Sequence, residues 1–253
     1  MKKITLTLIL VLTTSLIFAA IPQSEKQALI DLYNATNGDN WTNSWDLNKE
    51  PSDWKGVTIL NDHVLALGLK DNNLSGTLPN SIKNLKFLKV LNLHKNNLIG
   101  HIPPGVAEIK GLKILNLSIN KIIGSIPAEV FKMKSLEYLD VFFNQLSGEL
   151  PNDLSHLTNL KRLSVYGNFM KGKIPSSIAD LKNLNELQLS SNSFTGEIPR
   201  GILTLPKLKR LCIFDNQFEG IFPYELNNLN LDELTYHKNN FTTIQLNTAL
   251  AGE

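Results

Sequence analysis

Residues 88–103 read LKVLNLHKNNLIGHIP, and the same pattern returns along most of the chain. Glycine and proline recur with it, four and seven residues after a periodic asparagine. That asparagine recurs every 24 residues, at positions 72, 96, 120, 144, 168, 192 and 216, and once more at position 239. A fixed period in the twenties indicates a solenoid, in which each unit stacks on the next and the stack shares one core. The sequence therefore predicts eight stacked repeats.

Each recurring position of the unit has a physical role. The alternation of Leu91 and Leu93 predicts a short strand with one buried face, and stacked units place such strands about 4.8 Å apart in a parallel sheet. The chain must turn after the strand, where an amide such as that of Asn96 can pair backbone groups that the sheet leaves free. Gly100 permits a tight backbone path, and Pro103 starts a return segment that needs no donor there. These residue types are predicted to be structural.

The unit Leu-x-x-Leu-x-Leu-x-x-Asn-x-Leu-x-Gly-x-Ile-Pro resembles the plant-type leucine-rich repeat. Its second half is spelled by residues 98–103, 146–151 and 194–199. The resemblance covers residues 62–245 and implies an α/β repeat solenoid. The implied shape is a leucine-rich-repeat horseshoe or arc with a concave parallel β-sheet, a 3-10 or irregular convex side and a helical N-terminal cap. Members of this family bind peptides, proteins and glycans through variable positions, so the resemblance specifies the fold more closely than the ligand.

The chain divides into four predicted segments: a signal peptide (1–20), an N-terminal cap (21–61), eight repeats (62–245) and a C-terminal tail (246–253). Residues 1–20 contain two lysines, an apolar stretch and a pair of small alanines, which is typical of a secretory signal peptide. The apolar stretch is shorter than the ~20 residues that a membrane span needs. We expect a protein that is secreted or periplasmic, hence extracytoplasmic, with no membrane span after signal cleavage.

The predicted cap differs from the repeats. Ser24 and Gln27 have the spacing of a capping box, which predicts a helix that runs through Tyr33 and ends at the turn formed by residues 37–38. All three tryptophans, at positions 41, 45 and 54, lie here and are suited to cover the first core layer. Ser52 and Ile59 stand where plant caps usually carry cysteines. This departure favours a secreted bacterial subgroup of the plant-type repeat proteins.

Composition excludes several classes of function. Of 25 basic and 23 acidic residues, two lysines lie within residues 1–20, so the remainder is formally neutral and nucleic-acid binding is not expected. The five histidines are scattered, and no His-Glu-x-x-His, Gly-x-Ser-x-Gly or phosphate-cradling glycine loop occurs. Cys212 is the one cysteine and has no histidine in the adjacent strand positions to activate it. The sequence predicts no enzyme, no cofactor and no metal site.

The variable positions around the strand leucines predict the binding surface. Phe142, Phe143, Tyr138 and Tyr166 come from adjacent repeats and are expected to form one exposed aromatic patch, with Phe214 further along the same column. The position before the first strand leucine reads Arg162, Glu186, Arg210 and Glu233 in successive repeats. Such alternation predicts a charge ladder between neighbouring strands. The predicted partner-binding residues are Tyr138, Phe142, Phe143, Arg162, Tyr166, Glu186, Arg210 and Phe214.

The favoured function is an exported, non-catalytic module that binds a protein or peptide through the concave face. Binding of an extracellular polysaccharide at the same aromatic patch is the alternative, although tryptophan, the strongest stacking side chain, is confined to the cap. Ice binding is the third hypothesis and is less favoured. The position between the glycine and Ile-Pro has no threonine ladder, since it reads Thr77, His101, Ser125, Glu149, Lys173, Glu197 and Ile221.

Overall fold

A computed structural model describes residues 21–242 of the chain. The predicted signal peptide (1–20) and C-terminal tail (246–253) lie outside these residues. Within the described part, no helix has the length and apolar character needed to cross a membrane.

The concave sheet has nine strands, and sequence order is also sheet order. The first two strands pair antiparallel, and every later pair is parallel. The parallel solenoid predicted from the 24-residue period is thereby confirmed. The strands are Val57–Leu60, His63–Gly68, Val90–Asn92, Ile114–Asn116, Tyr138–Asp140, Arg162–Ser164, Glu186–Gln188, Arg210–Cys212 and Glu233–Thr235.

The return path of each repeat contains a short second strand and, in most repeats, a 3-10 helix. The second strands are Ser75–Thr77, Asn97–Ile99, Ile123–Gly124, Gln145–Leu146, Lys171–Gly172, Ser193–Gly196 and Gln217–Phe218. The 3-10 helices of the repeats are Asn80–Asn84, Pro104–Glu108, Ala128–Lys132, Ser176–Asp180, Arg200–Thr204 and Tyr224–Asn228. Each follows the periodic proline, whose fixed φ and missing N–H suit the residue at which such a turn begins.

The core lies between the concave sheet and the return segments. Leu91 and Leu93 are fully buried, as are the equivalent residues of the inner repeats, Leu139 and Val141 among them. Burial of one such side chain stabilises the fold by about 1.5–3 kcal/mol relative to its exposure. Since the side chains at alternate strand positions point outward, the positions between the leucines are left free of core packing.

The periodic asparagines join consecutive repeats through backbone groups. The amide of Asn144 donates to the carbonyls of Val141 in its own repeat (3.1 Å) and of Leu117 in the preceding repeat (3.0 Å). Its carbonyl oxygen accepts the backbone N–H of Ile122, also in the preceding repeat, at 3.0 Å. Asn168 repeats the pattern one turn later, with Val141, Val165 and Leu146 as its partners. The predicted asparagine ladder is confirmed.

The N-terminal cap begins differently from its prediction. The α-helix is Gln23–Ala35, and the residue at its N-cap is Pro22, with no side-chain capping bond. The predicted capping box is therefore wrong, because Ser24 already lies inside the first helical turn. Glu25, in the same turn, is buried and accepts hydrogen bonds from the backbone N–H of Val64 and from His63, both at 2.7 Å. This carboxylate attaches the helix to the second strand of the sheet.

The aromatic residues of the cap form one packed cluster. A short 3-10 turn at Gly38–Asn40 precedes Trp41, a second one at Pro51–Asp53 precedes Trp54, and all three tryptophans are buried. Trp45 lies 4.9 Å from Trp41 and 4.8 Å from Trp54 between ring centroids, and Tyr33 packs against both of the first two rings. Each indole N–H donates to a backbone carbonyl. The cluster covers the first core layer of the solenoid.

We predict that Asn144→Ala lowers the free energy of unfolding by about 2–4 kcal/mol, because the substitution leaves several buried backbone groups without partners. Urea titration followed by circular dichroism measures the loss. Asn152→Ala is the matched control, since Asn152 is exposed. Equal unfolding curves for the two variants would contradict the structural role of the ladder.

Candidate ligand-binding surface on the concave sheet

Three columns of side chains cover the concave face, and they follow from the alternation along each strand. The first column holds the first strand residue of each repeat, and the second column holds the third strand residue. The third column lies just beyond the buried residue that follows the strand. In one repeat these three positions are Tyr138, Asp140 and Phe142, separated by the buried Leu139 and Val141.

The aromatic side chains make one continuous line along the concave face. We call His94, Phe142, Phe143, Tyr166, Phe214 and His237 the aromatic line. Along it, successive ring centroids are 6.1, 5.9, 4.6, 6.1 and 5.1 Å apart. The line runs past seven consecutive strands, from the strand Val90–Asn92 to the strand Glu233–Thr235. The structure brings together Phe142, Phe143, Tyr166 and Phe214 from the predicted set, and it adds the two histidines at the ends.

Small residues allow this line to continue across two repeats that contribute no ring. Ser118 and Ser190 occupy the third column between aromatic neighbours, and both are buried. The ring centroids of Tyr166 and Phe214, on either side of Ser190, still come within 6.1 Å of each other. The sequence does contain a signal for the continuous line, since a serine in a column of large rings leaves room for the neighbouring rings to lean over it.

The predicted position of Phe143 implied that it lies on a strand, but the strand of its repeat ends at Asp140. Phe143 sits in the turn before the periodic asparagine, with a left-handed backbone at φ 49°. Its side chain is 47% exposed, and its ring lies over Gly167 of the next repeat. A Cβ atom at Gly167 would be 2.6 Å from Cδ1 of Phe143, so that position has room for the ring only as glycine. The turn therefore presents this aromatic ring at the rim of the concave face.

The predicted charge ladder is present over part of its length. Nε of Arg162 lies 2.6 Å from Oε2 of Glu186. The other carboxylate oxygen of Glu186, Oε1, lies 3.6 Å from the guanidinium of Arg210. Glu233 is in register with Arg210, yet within residues 21–242 it forms no ion pair. The ladder extends instead toward Asp140, whose carboxylate lies 3.6 Å from Arg162. Sequence reasoning missed Asp140, which belongs to the second column.

Arg162 is the centre of this network. Its guanidinium forms ion pairs with two buried carboxylates, those of Asp140 and Glu186. It also lies 5.6 Å from the ring centroid of Tyr138. Burial raises the pKa of Asp140 above its usual value, and the nearby positive charge of Arg162 opposes that rise without cancelling it. One oxygen of Asp140 is buried with no hydrogen-bond partner in the described structure. A depression of about 350 Å³ lies beside the network, and Tyr138, Arg162 and Glu186 line one side of it.

Cys212 lies in the second column and is buried. Burial raises the pKa of its thiol to about 11, so the thiol is protonated at neutral pH. Among residues 21–242, no group of three or more histidine, cysteine or acidic side chains is arranged to hold a metal ion. The side chains on this surface offer apolar contact, aromatic contact and charge pairing.

Family models match the two parts of the repeat array. A leucine-rich repeat region is matched over residues 62–172, and a single leucine-rich repeat over residues 183–205. The ectodomain of the receptor kinase SOBIR1 from Arabidopsis thaliana is 30% identical, with a TM-score of 0.59. The match covers 69% of this chain and 96% of the SOBIR1 ectodomain. The chain belongs to the leucine-rich-repeat family.

Two further solved structures match over most of the chain. The complex of PEPR1 with AtPEP1 gives a TM-score of 0.79 and 32% identity, covering 87% of this chain and 32% of the PEPR1 chain. A plant ice-binding protein gives a TM-score of 0.71 and 25% identity, covering 88% of both chains. The matching structures also include a plant peptide hormone receptor with RGF2 bound and a leucine-rich-repeat protein of Leptospira interrogans. No curated protein matches the chain.

Coverage of some of these structures is partial. The chain spans about a third of the length of the PEPR1 chain and of the plant peptide hormone receptor solved with RGF2. The similarity shows the leucine-rich-repeat fold over that section.

We predict that Arg162→Met lowers the free energy of unfolding by about 1–3 kcal/mol at pH 7, because it leaves the buried carboxylate of Asp140 without a cation and leaves Glu186 only the more distant Arg210. The folded-state pKa of Asp140 is already raised, so the folded state gains protons first as the pH falls. The loss should therefore shrink between pH 7 and pH 5. Urea titrations at both pH values measure it.

Arg200→Met is the matched control for Arg162→Met. Arg200 pairs with Glu225 at 2.9 Å, but both side chains are exposed, so its loss should be under about 1 kcal/mol. A pH-independent effect of Arg162→Met equal to that of the control would contradict the role assigned to the buried carboxylates.

We predict that Cys212 reacts slowly with Ellman's reagent in the folded protein. At pH 8 a thiol with a pKa of about 11 is ionised in about one molecule in a thousand, and only the thiolate attacks. In urea the same thiol should react at least about a hundredfold faster, since its pKa returns to about 8.5. Absorbance at both conditions gives the two rates, and a rapid reaction of the folded protein would contradict the burial of the thiol.

Proposed function

We propose that the chain is an exported, non-catalytic recognition module that binds a protein or peptide partner through its concave face. The observation that carries this proposal is the aromatic line, a continuous row of rings that the core does not need. Phe143 and His237 are exposed and the other four rings are half-buried, so each ring keeps part of its surface accessible to a partner. Accessible aromatic side chains are common anchors of interfaces.

The length of the aromatic line favours an extended ligand. Seven strands with six spacings of about 4.8 Å give a line of about 29 Å. An extended peptide rises about 3.3 Å per residue, so a segment of about nine residues would match the line. The plant peptide hormone receptor among the matching structures supports the choice of a peptide or protein ligand.

The charge network beside the aromatic line would orient a bound ligand. Arg162, Glu186 and Arg210 lie in the first column, with Asp140 next to them in the second. A ligand that lies along the aromatic line would place polar groups over this network. Because the buried carboxylates are already paired with arginines, we expect the network to contribute specificity more than affinity.

The geometry of the rings favours a protein or peptide over a polysaccharide. Neighbouring rings along most of the line are inclined to one another by 51–70°, and only Phe214 and His237 are nearly coplanar, at 12°. Inclined rings form pockets for side chains and do not make a flat platform for successive sugar rings. The ice-binding alternative needs a regular face, whereas the position between glycine and Ile-Pro mixes charged, polar and apolar residues.

Export and a bacterial origin belong to the same proposal. Residues 1–20 have the composition of a signal peptide, and Ser52 and Ile59 replace the cysteines usual in plant caps. A Leptospira interrogans protein with the same type of repeat is 34% identical over 69% of this chain.

Selection from a random-peptide display library tests the function. We predict that the selected peptides bind wild type and that Phe142→Ala/Tyr166→Ala weakens them at least about thirtyfold, the equivalent of a hot-spot loss of about 2 kcal/mol. Isothermal titration calorimetry with one selected peptide measures both affinities.

The matched control is Phe87→Ala/Tyr224→Ala. It removes the same two residue types at positions 46% and 48% exposed, away from the concave face. Peptides that bind the Phe142/Tyr166 variant as tightly as wild type would overturn the proposal. Binding that only glycans on an array show, with the same dependence on Phe142, would assign the surface to polysaccharide.

A further inference from the structure

The turns that lead into the concave strands carry an unusual concentration of lysine. We call the five residues before each of six strands the lysine rim: 85–89, 109–113, 133–137, 157–161, 181–185 and 205–209. Two apolar residues in each turn, leucine in most repeats, point into the core as Leu85 and Leu88 do, and they anchor the turn. The outward positions carry Lys86, Lys89, Lys110, Lys113, Lys134, Lys161, Lys182, Lys207 and Lys209.

The charge of the rim is strongly one-sided. It contains nine lysines and one acid, Glu137, and so has a formal charge of +8. The whole chain has a formal charge of +2, so all other residues together carry −6. Eight of the nine lysines are exposed, and Lys209 is half-buried. The small net charge of the chain therefore conceals a separation of charge on its surface.

Few partners neutralise the rim within the described structure. Glu137 lies between Lys113 (2.9 Å) and Lys161 (2.7 Å), and hydrogen bonds from both lysines lower the pKa of its carboxyl. Lys207 and Lys209 donate to an amide and to a backbone carbonyl, which leaves their charges in place. The ammonium of Lys89 lies over Gly111 in the next repeat, so this side chain reaches across the repeat boundary.

The turns that carry the rim lysines follow one another along the edge of the sheet. Six turns separated by five repeat spacings of about 4.8 Å give a rim about 24 Å long. Like charges at such spacings repel and contribute nothing to the core, because the buried leucines already anchor each turn. The depression at the junction of the rim and the concave face is lined by Lys161, Lys207 and Asn185 of the rim and by Arg162 and Glu186 of the first column.

From this arrangement we propose that the lysine rim binds a linear anionic polysaccharide. Its acidic groups recur along one dimension, as the ammoniums do, and an extended polymer can neutralise several of them at once. The rim contains no arginine, the residue favoured for bidentate recognition of phosphate, which argues against a nucleic acid. It exposes one large apolar side chain, Phe87, which is too little for insertion into a membrane.

This site is separate from the aromatic line in position and in chemistry. The lysines precede the strands and the aromatic residues follow them. Electrostatic attraction to the rim depends on salt, whereas apolar contact with the rings does not. The two surfaces can therefore be tested independently.

The test uses the protein over residues 21–253 and two polymers, heparin for sulfate groups and polygalacturonate for carboxylate groups. We expect retention on heparin that falls steeply with sodium chloride, and solution binding to at least one of the polymers. Lys86→Gln/Lys89→Gln/Lys110→Gln should weaken that binding at least about tenfold and flatten its dependence on salt. It should leave the melting temperature and the affinity for a concave-face peptide unchanged.

Lys121→Gln/Lys171→Gln/Lys173→Gln is the matched control, because it removes the same charge from exposed positions outside the rim. It should retain binding within about twofold of wild type. Equal losses in the two variants would overturn the proposal, since only net charge would then matter. Rim-dependent binding to phosphatidylglycerol vesicles or duplex DNA, with none to either polysaccharide, would also overturn it.

Discussion

Each repeat depends on one buried carboxamide, the side chain of the periodic asparagine. It donates to carbonyls of its own turn and of the preceding repeat, and it accepts a backbone N–H from that preceding repeat. Without it, the turn that ends each strand would bury unpaired backbone groups at a cost of about 1–3 kcal/mol each. Because every amide bonds across a repeat boundary, consecutive turns adopt the same register. That register aligns the strands and places equivalent side chains in columns. Neighbouring side chains within one column are about 5 Å apart.

A fixed register separates the positions that hold the fold from those that are free to bind. The leucines on either side of a strand position point inward and are fully buried, whereas the residue between them lies on the concave face, where Asp140, Ser164 and Cys212 are buried and Gln188 is half-buried. The turn itself tolerates Phe143 in a left-handed conformation, which a bulky residue seldom adopts. Neighbouring hydrogen bonds hold that turn, and Gly167 leaves room for the ring. Thus the aromatic line is built on structural elements that do not depend on the identity of its rings.

The sequence predicts those features that repeat, and fails for those that occur once. The period, the strands and the asparagine contacts can be predicted from the sequence, because each of these residues packs next to the equivalent residue 24 positions away. The N-terminal helix was placed correctly, but its start was not, because Pro22 begins it without a side-chain cap. The bond between Glu25 and His63 joins residues 38 positions apart with no periodic relation. Asp140 was missed for the same reason, since its contact with Arg162 crosses from one column to another.

The two proposed surfaces illustrate how one repeat can supply two kinds of recognition. Five residues of chain separate Lys89 from His94, a distance of about 16 Å when extended. At physiological ionic strength the field of exposed charges decays over about 8 Å, so the lysine rim acts only weakly on a ligand at the aromatic line. A partner at the rings is therefore selected by shape and apolar contact, while the rim selects by charge and length. Since each surface uses positions that the core leaves free, substitution in one need not alter the other or the fold that supports both.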